Sequence, residues 1–155
     1  MNEIPVEIIE AAKAAQKKWS SEANGVVLTT VFASVQIAQW ALESNFGRNM
    51  PEASNNPFGI KALHGEATVY CPTHEFLHGR YVKIMQGFAK FASIAEAFDR
   101  HAELLATSGY YSKARHARNP RVFANDLTGI YATDPNYGLK LNNIMETYKL
   151  EQYDI

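Results

Sequence analysis

The segment from Val31 to Gly47 most constrains what this chain can fold into. It is apolar almost throughout, carries helical spacing, and closes on Glu43 just before Asn45-Phe46-Gly47. Val31, Val35, Ala38 and Leu42 form a core-facing stripe. Gln36, Gln39 and Glu43 share a second, more polar face. An acidic residue at the end of an otherwise apolar helical segment, followed by a Gly stop and an Asn/Pro/Gly turn, is held in a sheltered place. The loop that follows, Ser54-Asn55-Asn56-Pro57-Phe58-Gly59-Ile60-Lys61, is rich in turn residues and can line a cleft beside it. A carboxyl group kept partly from water has a raised pKa and can donate a proton near neutral pH, as cleavage of a glycosidic bond requires. The competing reading is an exposed glutamate near a helix C-terminus. An anion there opposes the helix dipole and gains nothing locally.

The chain has 155 residues, enough for one domain with a substantial core, expected to span 1–155. Hydrophobic residues make up 46% and charged residues 20%, with a formal net charge of -1. This balance argues against a nucleic-acid or membrane-surface partner. Cys71 is the single cysteine, so no internal disulfide is expected. The N-terminus lacks the pattern of a secretory signal, and no apolar run is long enough to cross a bilayer.

Helical spacing extends from about Pro5 to Trp19, with a turn at Glu22 to Gly25 and Thr29 or Thr30 placed to cap the second helix. Residues 66–91 change character. Thr68-Val69-Tyr70 and Tyr81-Val82-Lys83-Ile84 are β-prone, and His78-Gly79 is a plausible turn between two short strands. Ser93-Ile94-Ala95-Glu96 fits a capping box, and a helix follows through Ile94, Phe98, His101 and Leu105. A shorter helix is expected from about Pro120 to Tyr131. Asp134-Pro135 then reads as the N-cap and first turn of a last helix, with Tyr137, Leu141, Ile144 and Tyr148 facing the core. The expected fold is α+β and predominantly helical, with one β-hairpin insertion.

Two further constellations could carry chemistry. Glu75, just before the hairpin turn, is a candidate second carboxylate of a glycosidase pair, or else a solvated strand residue. The run Tyr131-Ala132-Thr133-Asp134-Pro135-Asn136-Tyr137 could line a sugar site through stacking and hydroxyl hydrogen bonds, although Asp134 and Tyr137 also suit a capped helix start beside a core tyrosine. Cys71, His74 and His78 have a superficial zinc spacing. Strand alternation turns Cys71 away from the two histidines and no fourth ligand is evident, so no metal site is expected.

Five ordered blocks resemble the bacterial and phage glucosaminidase family, glycoside hydrolase family 73, which includes autolysins and the flagellar muramidase-like domains. They are AQWALESNFG at 38–47, SNNPFGIK at 54–61, THEF at 73–76, FAKFAS at 88–93 and YATDPNYG at 131–138. One departure is Ala89, where the family often has an arginine. The resemblance implies a lysozyme-like α lobe and a β-hairpin lobe flanking an active-site cleft, with peptidoglycan glycan strands as substrate and no cofactor. It places the catalytic acid on Glu43, the proposed second carboxylate on Glu75, and a tyrosine near the sugar's N-acetyl group on Tyr131. Gln39, Trp40, Asn56, Phe58 and Tyr137 are expected to bind substrate or shape the cleft. The expected activity is endo-β-N-acetylglucosaminidase. Rivals are a lytic transglycosylase or muramidase on the same substrate, and a non-catalytic wall-binding or phage-tail protein. A monomer acting on the cell wall is expected. The N-terminus suits a phage or prophage lysin, or a protein delivered by a secretion machine.

Overall fold

The computed structural model describes residues 2–155, and their side chains except those of Val27, Leu28, Thr29 and Glu75. Helix α1 (Val6–Trp19) leads into a small antiparallel hairpin, β1 (Ser21–Ala23) and β2 (Val26–Thr29). Helix α2 (Ala33–Ser44) follows. After a long loop come β3 (Thr68–Leu77) and β4 (Arg80–Ala89), then α3 (Ile94–Thr107). The chain closes with the short α4 (Ser112–Arg115), α5 (Pro120–Asp126) and α6 (Tyr137–Thr147). The helical lobe and the single long hairpin are those expected. The first hairpin replaces what reads in sequence as a simple turn.

Helix α2 is buried on nearly every side, and Ile37, Phe98, Phe123, Leu105 and Leu141 fill the contiguous core around it. Its start differs from expectation. The cap residue is Phe32, which offers no side-chain oxygen, so Thr30 is not the cap, and the side chain of Thr29 lies outside those described. The first amides are satisfied from far away: Ala33 N–H donates to Gln16 Oε1 (3.0 Å) and Ser34 N–H to Asp154 Oδ1 (2.8 Å). Ser34 Oγ donates to the same carboxylate at 2.6 Å. The Asp154 carboxylate meets one orphan amide, that of Ser34, and the positive end of the helix dipole.

The capping bond of α3 forms as read, with Ser93 Oγ accepting from Glu96 N–H, while the return bond of Glu96 Oε2 is taken from Ala92 N–H, one residue before the cap. Helix α5 is shorter than expected and ends at Asp126. Helix α6 begins three residues after Asp134, whose carboxylate instead closes a turn by accepting from Asn136 N–H at 2.8 Å and pairing with Lys140. Gly138 allows the start of α6 to approach α5, because a Cβ there would lie 2.7 Å from Asn125 Cα.

The long hairpin is ten residues a side, well beyond the expected short strands. His78 and Gly79 both adopt positive φ (51° and 80°). That is the mirror-image turn whose twist matches that of paired strands. At its base Lys61 bridges Phe88, and Ala89 N–H donates to Ile60 O at 2.9 Å, so the loop 54–61 joins β4 as a short third strand.

Candidate active site

Glu43 stands one residue from the end of α2. The helix is stopped there by three successive residues with positive φ, Asn45, Phe46 and Gly47. Ser44 Oγ donates to Trp40 O (2.5 Å) and accepts from Gly47 N–H (2.8 Å), which pins this exit. Although Glu43 as a residue keeps an exposed surface, its carboxyl end enters a cleft of about 410 Å³. Phe58, Ile60, Lys61, Arg100, Tyr111 and Tyr131 are among its walls. Burial against them raises the Glu43 pKa, and the hydrogen bond from Tyr137 partly opposes that rise.

The proton network behind the carboxyl group is explicit. Tyr137 Oη donates to Glu43 Oε1 at 2.9 Å and accepts from Gln39 Nε2 at 3.0 Å. The Tyr131 ring stacks on the Tyr137 ring (5.7 Å, 13°) and tilts toward Tyr111 (5.9 Å). Burial first, then the charges of Glu43 and Tyr111, push the Tyr131 pKa well above its ordinary value. Tyr131 is therefore a neutral phenol at any working pH, fit to donate a hydrogen bond but not to act as a base. Behind Phe58 lies His101, stacked on it at 3.9 Å. Gln36 Nε2 donates to Phe98 O (3.0 Å), so the same amide nitrogen also donates to His101 Nδ1 (2.9 Å). This assigns the neutral tautomer protonated on Nε2. Burial lowers the His101 pKa to about 3.

The structure brings Glu43, Tyr131 and Phe58 together at the cleft. The other residues expected to bind substrate or shape the cleft are buried around it. Gln39 is fully buried and spends its amide on Tyr137. Trp40 is buried against Phe46 and Gly47. Asn56 is buried and fastens its loop to β4, donating to Ile60 O (2.9 Å) and Ala89 O (3.0 Å). Tyr137 is 2% exposed and its hydroxyl holds the Glu43 carboxyl group. The polar face read for Gln36 and Gln39 is thus interior: their Nε2 groups are bonded, whereas both Oε1 atoms are buried without a partner among the described residues. The side chain of Glu75 lies outside those described; its backbone pairs with Val82 in the hairpin.

Lys61 lies on the loop read as lining the cleft, whereas Tyr111 and Arg100 are not legible there from sequence. Arg100 pairs with Glu66 at 3.0 Å, tying α3 to the loop before β3. Ala89, at the departure from the family pattern, is buried and bonded to the 54–61 loop. A larger recess of about 1060 Å³ lies elsewhere, between Gln16, Phe32, Arg115 and Ile155. Its Arg115 is committed to the carbonyls of Leu105 and Ser108, and Glu43 takes no part in it. Among the described residues, no three His, Cys, Asp or Glu side chains converge as a metal site.

A helical lobe, a hairpin lobe and a sheltered carboxyl group between tyrosines define a lysozyme-like architecture. The glucosaminidase profile, described as mannosyl-glycoprotein endo-beta-N-acetylglucosaminidase, matches residues 13–150, and the chain belongs to that family. It is 36% identical over 157 residues to an autolysin of Enterococcus faecalis, covering 95% of this chain and 20% of that protein. It is 35% identical over 150 residues to a probable N-acetylmuramidase of Lactococcus lactis, covering 91% and 33%. The chain therefore spans about a fifth to a third of the length of these relatives. The crystal structure of the catalytic domain of the autolysin Auto from Listeria monocytogenes superposes with a TM-score of 0.80 at 32% identity, covering 99% of this chain and 91% of that one.

Proposed function

We propose that the chain is a peptidoglycan glycosidase that cleaves a β-1,4 bond of the glycan strand, with Glu43 as general acid. The observation that carries this reading is the Glu43 carboxyl group, raised in pKa by the cleft and oriented by Tyr137. Glu43 gives its proton to the glycosidic oxygen as the bond to the anomeric carbon breaks. The resulting carboxylate is stabilised by the Tyr137 hydroxyl. Glu75, carried on the hairpin, is the proposed second carboxylate: it either takes a proton from the attacking water or stabilises the oxocarbenium-like transition state. Tyr131 donates its hydrogen bond to a sugar substituent beside Glu43. The chain works as one catalytic domain, as a monomer, on wall material outside the cytoplasm.

The bond is proposed as that following N-acetylglucosamine, in keeping with the family's description. The competing muramidase reading has support in the name of the Lactococcus relative. Digested wall, reduced with borohydride and analysed by mass spectrometry, is expected to contain reduced N-acetylglucosamine. Reduced muramic acid as the product would replace this specificity with the muramidase one, and anhydromuramic acid would make the chain a transglycosylase.

Tyr137→Phe tests the orienting bond. Its hydrogen bond lowers the Glu43 pKa, so removing it raises that pKa further. An acid that must be protonated then stays active to higher pH. The alkaline limb of the pH–rate profile should shift upward while the maximal rate falls. An unchanged limb would show that Tyr137 does not tune the acid.

A further inference from the structure

The long hairpin has two unlike faces. Cross-strand partners share a face, so Tyr70, Pro72, His74 and Phe76 of β3 lie beside Gly87, Met85, Lys83 and Tyr81 of β4. Tyr70 (68% exposed), Phe76 (63%), Tyr81 (76%) and Met85 (62%) are open to solvent there, and no acidic residue occurs among these positions. The opposite face, with Val69, Cys71, Ile84 and Phe88, is half-buried. Lys61 pairs with Phe88 and also lines the Glu43 cleft, which puts the half-buried face on the cleft side at the base and the aromatic face away from it.

The aromatic face is organised as a platform. The Tyr70 ring lies across Gly87, where a Cβ would stand 3.3 Å from Tyr70 Cε1. One side of that ring is therefore covered by backbone. Phe76 and Tyr81 meet edge to face at 5.2 Å near the tip. From Tyr70 to Phe76 the strand runs about 20 Å. Between the two aromatic stations sit Lys83 and His74, paired across the strands and exposed.

We infer that this outer face is a second glycan-binding surface, which holds a wall strand other than the one in the cleft. Sugar rings present apolar C–H faces that stack on aromatic rings and hydroxyl edges that bond to tyrosine, lysine and histidine. The stem peptides on wall glycans carry carboxylates, which complement a face that bears Lys83 and no acid. The pattern suits the alternatives less well. A lipid surface would draw Lys83, mid-face, toward hydrocarbon, and a symmetric pairing of two copies would bring Lys83 toward its own like charge. The inference rests on the reading of the substrate as wall glycan.

The test measures binding to purified cell-wall sacculi by co-sedimentation, in a Glu43→Gln background that holds glycan without cutting it. Tyr70→Ala with Tyr81→Ala should weaken binding about tenfold. Tyr70→Phe with Tyr81→Phe should restore most of it, since the rings remain. Lys83→Glu, which keeps all rings, should weaken binding at low salt and lose that effect at high salt. Unchanged binding in the alanine pair and in Lys83→Glu overturns the inference. So does finding that these changes abolish adsorption to anionic phospholipid vesicles, or self-association in the ultracentrifuge, while leaving sacculus binding intact. Release of reducing ends from the same sacculi by the unaltered chain separates the two levels: its absence refutes the glycosidase reading itself.

Discussion

Glu43→Gln is expected to lower wall hydrolysis by about 10²–10⁴-fold, the usual worth of a positioned general acid. The amide oxygen can still accept from Tyr137, so the hydrogen-bonded wall should persist, but the amide has no proton to give. Stability should hold or rise slightly, because the change removes an ionisable group whose charged form the cleft disfavours. Loss of wall turbidity and thermal melting, measured on the same preparation, check this together. A folded Glu43→Gln variant with near-parental lysis would refute the assignment of the acid. Glu75→Gln should lose less activity, since the second carboxylate can be partly replaced by water.

Acidification is expected to reveal the buried histidine as a cost. His101 has a pKa of about 3 in the folded chain, against about 6.5 when exposed in the unfolded one. Below pH 6.5 the unfolded state therefore binds one more proton than the folded state at this site, and stability falls as pH falls. The loss continues down to about pH 3 and reaches on the order of 5 kcal/mol. Glu43 and Asp154, whose pKa values burial raises, act with the opposite sign. Comparison with His101→Gln isolates the histidine: the variant should be less stable at pH 7, yet lose less on acidification. Urea midpoints between pH 7 and pH 4 check this, and parallel curves for the two proteins would show that His101 does not titrate on unfolding.

What the sequence made legible was local. The glutamate at the end of an apolar helix, the His78-Gly79 turn and the Ser93–Glu96 capping bond each depend on neighbours within a few residues, and each forms as read. What stayed hidden was supplied from a distance. Gln39 reads as part of a polar face until Tyr137, nearly a hundred positions later, is seen to take its amide. Trp40 and Asn56 belong to blocks that suggest ligand contact, but they build the wall from inside. Asp134 carries the local signal of an N-cap, and its bond to Asn136 with its pairing to Lys140 moves the helix start downstream. Tyr111 and Arg100 enter the cleft only through the packing of α3 and the segment after it, which no short-range pattern encodes.

The carboxylate that Asp154 lends to the start of α2 has a bearing on when the protein becomes competent during synthesis. The segment bearing Glu43 is translated in the first third of the chain, whereas the group that completes its first turn comes 120 positions after Ser34. Gln16 likewise links Ala33 to the carbonyl of Ile155. A nascent chain that has exposed only its N-terminal half thus holds the acid on an unfinished helix. The start of the helix that bears Glu43 is completed only when residues 154 and 155 are available to pack against it.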